Sequence, residues 1–87
     1  HIRFEQTATK GAFYHEEGGK RLAEMTFTMA GERRMIIDHT EVSDVLRGKS
    51  AGKQLVAAAV QHARENQMTI LPLCPFAKSV FDKTEAY

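Results

Sequence analysis

The sequence predicts an α/β (α+β) fold: antiparallel strands come first, a βαβ crossover follows, and a helix ends the chain. In the first half, apolar and polar residues alternate with a period of two, as in half-buried strands. The period changes to that of a helix between Ser50 and Asn66, and the short apolar run TILPLC comes next. Because a strand, a helix and a strand succeed one another from Met35 to Leu73, we expect a mixed sheet with two parallel strands and a right-handed crossover.

The first half reads as antiparallel strands joined by short turns. GAFYH is a strand, EEGGK a turn, and RLAEMTFTM a strand whose apolar face comprises Ala23, Met25, Phe27 and Met29. After the turn AGE, RRMIIDHTEV forms a further strand that becomes polar towards its end. Strict alternation predicts one face with Met35, Ile37, His39 and Glu41, and another with Ile36, Asp38, Thr40 and Val42.

The second half contains a helix, a strand and a helix. The first helix has one apolar face, made of Leu55, Val56, Ala59, Val60 and Ala63, and Asn66 suits a left-handed C-terminal cap. TILPLC is almost entirely apolar, which predicts a strand covered on both faces. PFAKSVFDKTEAY predicts a final helix with Pro75 in its first turn. Ligands gather at the carboxyl ends of parallel strands. We therefore expect Cys74 to face the same crevice as the loop that follows Val42.

Composition restricts the classes of function. The 12 basic and 11 acidic residues give a formal net charge of +1, which argues against nucleic acid as the main partner. One cysteine cannot form an intrachain disulfide, and no stretch reaches the length of a membrane span. We therefore expect one domain over residues 1–87, cytoplasmic and without a membrane partner. His15 and His62 are interpreted as surface residues, and no metal site is expected because no close ligand pair exists.

The run VLRGKSAGKQL contains GKS, a fragment of the nucleotide phosphate loop. That loop requires a glycine where this sequence has Ser43, so the pattern fails. What remains is a basic turn of small residues that opens a helix, where unpaired N–H groups and the helix dipole favour an anion. Alternatively, its charges only solvate a turn. The candidate residues for anion binding are Arg47, Gly48, Lys49, Ser50, Ala51, Gly52 and Lys53.

The segments HTEVSDVLRGKSAGKQLV, HAREN and LCPF resemble the small stand-alone members of the GNAT superfamily of N-acetyltransferases, which carry a cysteine after the fifth strand. The superfamily phosphate motif is Q/R-x-x-G-x-G/A. Arg47 and Gly52 fill its ends, and Ser50 replaces its middle glycine. The resemblance implies acetyl-CoA as donor and an amine acceptor, either a small molecule or a protein. The basic turn would bind the pyrophosphate, and the backbone around Val42 would pair with the pantetheine arm.

Three side chains are candidates for the chemistry. By the resemblance, Cys74 lies in the active site, where it either accepts the acetyl group or only lines the pocket. His39 would take a proton from the amine or lower the pKa of Cys74; otherwise it is a structural strand histidine. Glu41 is the alternative base, or a solvated edge charge. The N–H of Val42 is a candidate oxyanion donor.

Two functions of other classes stay open. The first is a non-catalytic acyl-CoA-binding or sensing module, favoured by the short stretch ahead of the first predicted strand, which leaves little chain for a substrate pocket. The second is a protein-interaction domain that kept the fold and lost the cofactor. Cofactor binding without turnover supports the first, and absence of CoA binding supports the second.

Overall fold

The computed structural model describes residues 2–46 and 51–83, with only the backbone of Lys83. Its elements in order are β1 (Arg3–Thr7), β2 (Lys10–Glu17), β3 (Lys20–Met29), β4 (Arg34–Val42), a 3₁₀ turn (Asp44–Leu46), α1 (Ala51–Glu65), β5 (Thr69–Pro72) and α2 (Pro75–Lys83). The five strands form one sheet in the order β1-β2-β3-β4-β5. Neighbours are antiparallel up to β4, and β4 and β5 are parallel. The predicted mixed sheet with a βαβ crossover is confirmed.

Tight turns connect the antiparallel strands. Gly18 and Gly19 have φ of 57° and 80° between β2 and β3, the left-handed conformation that a two-residue hairpin turn requires. β1 was not predicted. Its sequence RFEQT has one apolar residue, and all five of its residues are exposed, so it lacks the alternation that marks a half-buried strand.

A β-bulge interrupts the pairing of β3 with β4. Thr26 lies opposite His39, but the next residue, Phe27, lies opposite Ile37. Asp38 is therefore the extra residue on β4. One extra residue shifts the alternation, so every side chain beyond it changes face.

Beyond the bulge, Thr40 and Val42 lie on the side of the sheet that the helices cover, each opposite a buried residue of β3. His39 and Glu41 lie on the outer side and are exposed. The prediction that His39 and Glu41 share a face with the buried residues Met35 and Ile37 was wrong, because strict alternation takes no account of a bulge.

Both helices pack on one face of the sheet. α1 contacts β2, β3 and β4, and α2 contacts β4 and β5. The predicted apolar face of α1 is confirmed: all five of its residues are buried, together with Ala77 and Val80 of α2. Neither of the described helices has the length and apolar composition needed to cross a membrane.

The end of α1 differs from the prediction by one residue. Gln67, with φ of 55°, adopts the left-handed conformation expected of Asn66. The Asn66 side chain instead donates a hydrogen bond to the carbonyl of His62 at 2.9 Å. Asn66 thus satisfies one of the last carbonyl groups of the helix through its side chain.

β5 is an edge strand with one covered face. Its residues alternate between exposed and half-buried, and Leu71 is 44% exposed. The prediction of a strand covered on both faces was wrong, since both helices lie on the same side of the sheet. An apolar run at the edge of a sheet with a single helical layer leaves its outward side chains in solvent.

The two histidines interpreted as surface residues are half-buried. His15 Nε2 lies 3.1 Å from Oε1 of Glu17. The ring of His62 stacks on Phe4 with centroids 4.6 Å apart and meets Phe13 edge-on at 5.7 Å. For His62 the prediction was wrong, because β1, which was not predicted, supplies Phe4 as a packing partner.

Candidate functional site

The strands β4 and β5 part beyond Ile37. Their ladder ends where Ile37 lies opposite Pro72, and the N–H groups of Leu73 and Cys74 both donate to the Ile37 carbonyl, at 3.1 and 3.2 Å. Within the described ranges, the rest of β4 continues to Val42 without a partner in β5. A gap therefore opens at the carboxyl ends of two parallel strands, the place where such sheets bind ligands.

Cys74 lies at the edge of this gap, between the end of β5 and the start of α2. It is 6% exposed. Its carbonyl accepts the N–H of Lys78 at 3.0 Å, which makes Cys74 the N-cap residue that immediately precedes α2. Its Sγ lies 3.3 Å from Oγ1 of Thr40, with the thiol as donor. Sequence reasoning missed Thr40, because alternation without the bulge places it on the opposite face.

The surroundings of the sulfur lower the pKa of Cys74. Burial is the largest influence and raises the pKa, but hydrogen bonds to the thiolate outweigh it. The donors are the Thr40 hydroxyl and the backbone N–H groups of Ala77, Phe76 and Thr40. Two of these N–H groups belong to the first turn of α2, where they have no partner within the helix. These donors therefore stabilise the thiolate, which is the nucleophilic form of the side chain.

His39 and Glu41 form a pair on the outer face of β4. Their Nε2 and Oε1 atoms are 2.8 Å apart, and the side chains are 63% and 72% exposed. Cys74 contacts β4 through Thr40, which faces the helices. The structure thus brings His39 and Glu41 together, and it places both across the strand from the thiol.

A surface depression of about 420 Å³ borders the carboxyl end of β4 and is lined by Arg21, Leu22, Ala23, Glu24, Glu41, Val42 and Ser43. Glu24 lies opposite Glu41 in the β3–β4 ladder. Arg21 donates to Glu24 and to Glu5, each at 2.6 Å. Opposed carboxylates repel, so a cation beside them is stabilising. Sequence reasoning missed Glu24 and Arg21, because only the strand pairing brings them to Glu41.

Of the predicted cofactor segment, the structure describes three residues: Ala51 and Gly52 are buried in the first turn of α1, and Lys53 is exposed. The other four, Arg47, Gly48, Lys49 and Ser50, lie outside the described residues.

The first turn of α1 meets α2 at Gly52. A Cβ atom on Gly52 would lie 2.4 Å from Cζ of Phe76, so the Phe76 ring occupies the space of a side chain at position 52. Phe76 belongs to the LCPF run, yet sequence reasoning gave it no role. The fold thus connects the candidate cofactor turn to the segment that begins with Cys74.

Comparisons with known proteins agree with this architecture. The sequence matches the family described as GCN5-related N-acetyl-transferase over residues 12–87. The NMR structure of a GCN5-like protein from Staphylococcus aureus is 39% identical and superposes with a TM-score of 0.72, covering 98% of this chain and 82% of that one. No significant match was found among curated proteins.

Two more distant structures share the fold. The ribosomal-protein-alanine N-acetyltransferase of Brucella melitensis biovar Abortus 2308 is 18% identical with a TM-score of 0.72, over 88% of this chain and 62% of that one. AAC(6')-Iy, in complex with the bisubstrate analog CoA-S-monomethyl-acetylneamine, is 12% identical with a TM-score of 0.58, over 92% of this chain and 61% of that one. This chain spans about three fifths of both proteins. The family match over most of its length, on a five-stranded mixed sheet with this crossover, shows that the chain belongs to the GCN5-related N-acetyltransferase (GNAT) superfamily.

Proposed function

We propose that this protein transfers an acetyl group from acetyl-CoA to an amine. The observation that carries the proposal is the gap beyond Ile37, with the Cys74 thiol held at its edge by Thr40. Membership of the superfamily supports acetyl-CoA as the donor, and AAC(6')-Iy binds an analog that contains CoA. The gap offers acetyl-CoA three kinds of contact: backbone of β4 that is not paired with β5, the start of α1, and polar side chains at the edge of the gap.

The backbone of β4 supports a role for the Val42 N–H. The Ser43 N–H points towards β3, where it donates to the Leu22 carbonyl at 2.6 Å. The Thr40 N–H points the other way, to the Cys74 sulfur. Because N–H groups two residues apart in a strand point in the same direction, the Val42 N–H is directed into the gap. There it would donate to the thioester oxygen as negative charge develops.

The start of α1 suits the pyrophosphate. N–H groups in the first turn of a helix have no intrahelical partner, and the helix dipole adds partial positive charge. Ala51 and Gly52 lie in that turn, and exposed Lys53 follows. On the sequence motif, we assign the same role to Arg47, Gly48, Lys49 and Ser50.

The outer face suits the amine. An ammonium ion would be attracted to the depression where Glu24 opposes Glu41, and Glu41, with His39 beside it, would take the proton. The neutral nitrogen then bonds to the thioester carbonyl carbon, the carbon–sulfur bond breaks, and the departing CoA thiolate takes up the second proton that the nitrogen loses, which leaves an amide and the free CoA thiol. In the relay version, the Cys74 sulfur first bonds to the acetyl carbon and CoA leaves with the thiol proton; the amine then attacks the Cys74 thioester, and the Cys74 thiol is released.

Mass spectrometry tests the proposal directly. The protein is incubated with acetyl-CoA and a panel of small amines, lysine peptides and peptide N-termini, and an acceptor that gains roughly 42 Da in an enzyme-dependent reaction supports it. A rapid-quench adduct on Cys74 that the acceptor removes establishes the relay. Full turnover by Cys74→Ala without an adduct establishes direct transfer.

Calorimetry with CoA separates the other classes. CoA binding without transfer to any acceptor indicates a binding or sensing module, and no binding contradicts the proposal. At a hundredfold excess over Kd, a ligand that binds only the folded protein adds about 2.7 kcal/mol to the free energy of unfolding. Acetyl-CoA is therefore expected to raise the melting midpoint by several degrees, and ATP is the control.

A further inference from the structure

Gly52 occupies a position where nothing in the backbone calls for glycine. It lies within the first turn of α1, and it is not among the described glycines with positive φ. Glycine inside a helix is less stable than alanine, so its presence needs another reason. The structure offers a steric reason: a Cβ at Gly52 would lie 2.4 Å from Cζ and 2.7 Å from Cε2 of Phe76.

Phe76 touches both halves of the candidate site. Its ring lies against Gly52 at the start of α1, and its backbone N–H is one of the donors to the Cys74 sulfur. It is 40% exposed, so the ring has solvent on one side and α1 on the other. A displacement of this residue therefore changes two things together, the position of the α1 start and the donors around the thiol.

We propose that Phe76 is a positioning residue that fixes the start of α1 against Cys74, and that glycine stands at position 52 to admit its ring. This inference rests on the proposed function, since it concerns the relation of the coenzyme turn to the thiol. The superfamily motif accepts glycine or alanine at this position. In this chain an alanine Cβ would press against the ring unless the ring shifts, so α2 supplies a steric reason for glycine that is separate from any contact with the pyrophosphate.

A double-mutant cycle that changes the size of both side chains tests the proposal. Four proteins are compared: wild type, Gly52→Ala, Phe76→Leu and the double variant, with the Kd for CoA measured by calorimetry. Gly52→Ala is expected to weaken CoA binding about tenfold in the wild-type background and less than about twofold in the Phe76→Leu background, where the smaller side chain leaves room. An equal loss in both backgrounds overturns the proposal, because the glycine then serves the ligand. Unchanged CoA affinity in both backgrounds also overturns the proposal, because the ring can then move aside without affecting the start of α1.

A second readout does not depend on CoA. The pH dependence of Cys74 alkylation by iodoacetamide is measured on the same four proteins. Gly52→Ala is expected to shift the profile, and Phe76→Leu to cancel that shift; four identical profiles overturn the proposal. If wild type fails to bind CoA, the proposed function fails, but the alkylation profiles still test the positioning. Phe81→Leu, which shortens an aromatic side chain further along α2, is the matched control and is expected to leave both readouts unchanged.

Discussion

The Cys74 thiol donates a hydrogen bond to Thr40 Oγ1 across 3.3 Å, and this contact joins the end of β5 to the part of β4 that has left the β5 ladder. It exists because the bulge at Asp38 turns Thr40 towards the helices. When the thiol ionises, the direction of donation reverses and the Thr40 hydroxyl stabilises the thiolate.

Replacing Thr40 with valine is expected to raise the pKa of Cys74. Valine keeps the shape of threonine and removes the hydroxyl donor, while the burial that raises the pKa remains. The measurement is the pH dependence of alkylation by iodoacetamide, whose midpoint should move upward. Thr26→Val is the matched control, because Thr26 lies on the outer face opposite His39. Superimposable profiles for Thr40→Val and wild type would show that the hydroxyl does not tune the thiol.

Hydrophobic periodicity correctly predicted the elements in which the spacing of apolar side chains is regular from one end to the other. All five residues predicted for the apolar face of α1 are buried, and the parallel pairing followed from the strand, helix and strand order. The exposed β1 and the bulge at Asp38 were missed because neither leaves an alternating pattern in the sequence. For the same reason Thr40 was placed on the wrong face and Glu41 on the helix side.

The packing partners of the site could not be predicted from local sequence. Phe76 meets Gly52, and Glu24 meets Glu41, only after residues far apart in the chain have been brought together. The motif indicated that position 52 is small, but not which neighbour makes it so. Long-range contacts of this kind are set by tertiary packing, which periodicity does not report.

Glu41→Gln is expected to slow acetyl transfer by about 10² to 10⁴ fold if Glu41 accepts the amine proton. CoA affinity and the alkylation profile of Cys74 should not change, because Glu41 lies on the opposite face of β4 from the thiol. The chain offers a matched control in Glu17→Gln, since His15 and Glu17 form a similar pair on β2 at 3.1 Å. Loss of activity in both variants, or in neither, would remove Glu41 from the mechanism.

Gly11→Ala is expected to destabilise the fold by about 1 to 3 kcal/mol. A Cβ on Gly11 would lie 2.4 Å from Cζ of Phe27 and 2.6 Å from the Glu5 carbonyl oxygen. The ring is fully buried and the carbonyl belongs to the paired strand β1, so neither can move without loss of packing or pairing. Urea unfolding measures the change. Gly18→Asn is the contrast, since no atom of the described residues would lie within 4 Å of a Cβ there, and asparagine tolerates the positive φ. Equal losses in both variants would contradict the steric explanation.

The free energy of unfolding is expected to depend on pH through Cys74. The pKa of Cys74 in the folded protein lies below its ordinary value near 9.0, because hydrogen bonds from Thr40 and the start of α2 outweigh burial. Between the lowered pKa and the ordinary value, the folded state holds fewer protons on this group than the unfolded state. The free energy of unfolding must then rise with pH through that window.

Subtracting a variant without the thiol isolates this contribution. Urea unfolding is followed at a series of pH values for wild type and Cys74→Ala, and the difference in unfolding free energy is plotted against pH. The packing cost of the substitution is the same at every pH and only offsets the curve. This difference in unfolding free energy should be constant below the pKa of Cys74 in the folded state and constant again above its pKa in the unfolded state. Between the two values it should rise with pH by at most about 1.4 kcal/mol per pH unit. A difference that falls as pH rises would mean that burial dominates and the pKa is raised, and the thiolate-stabilising role of Thr40 and α2 would then be wrong.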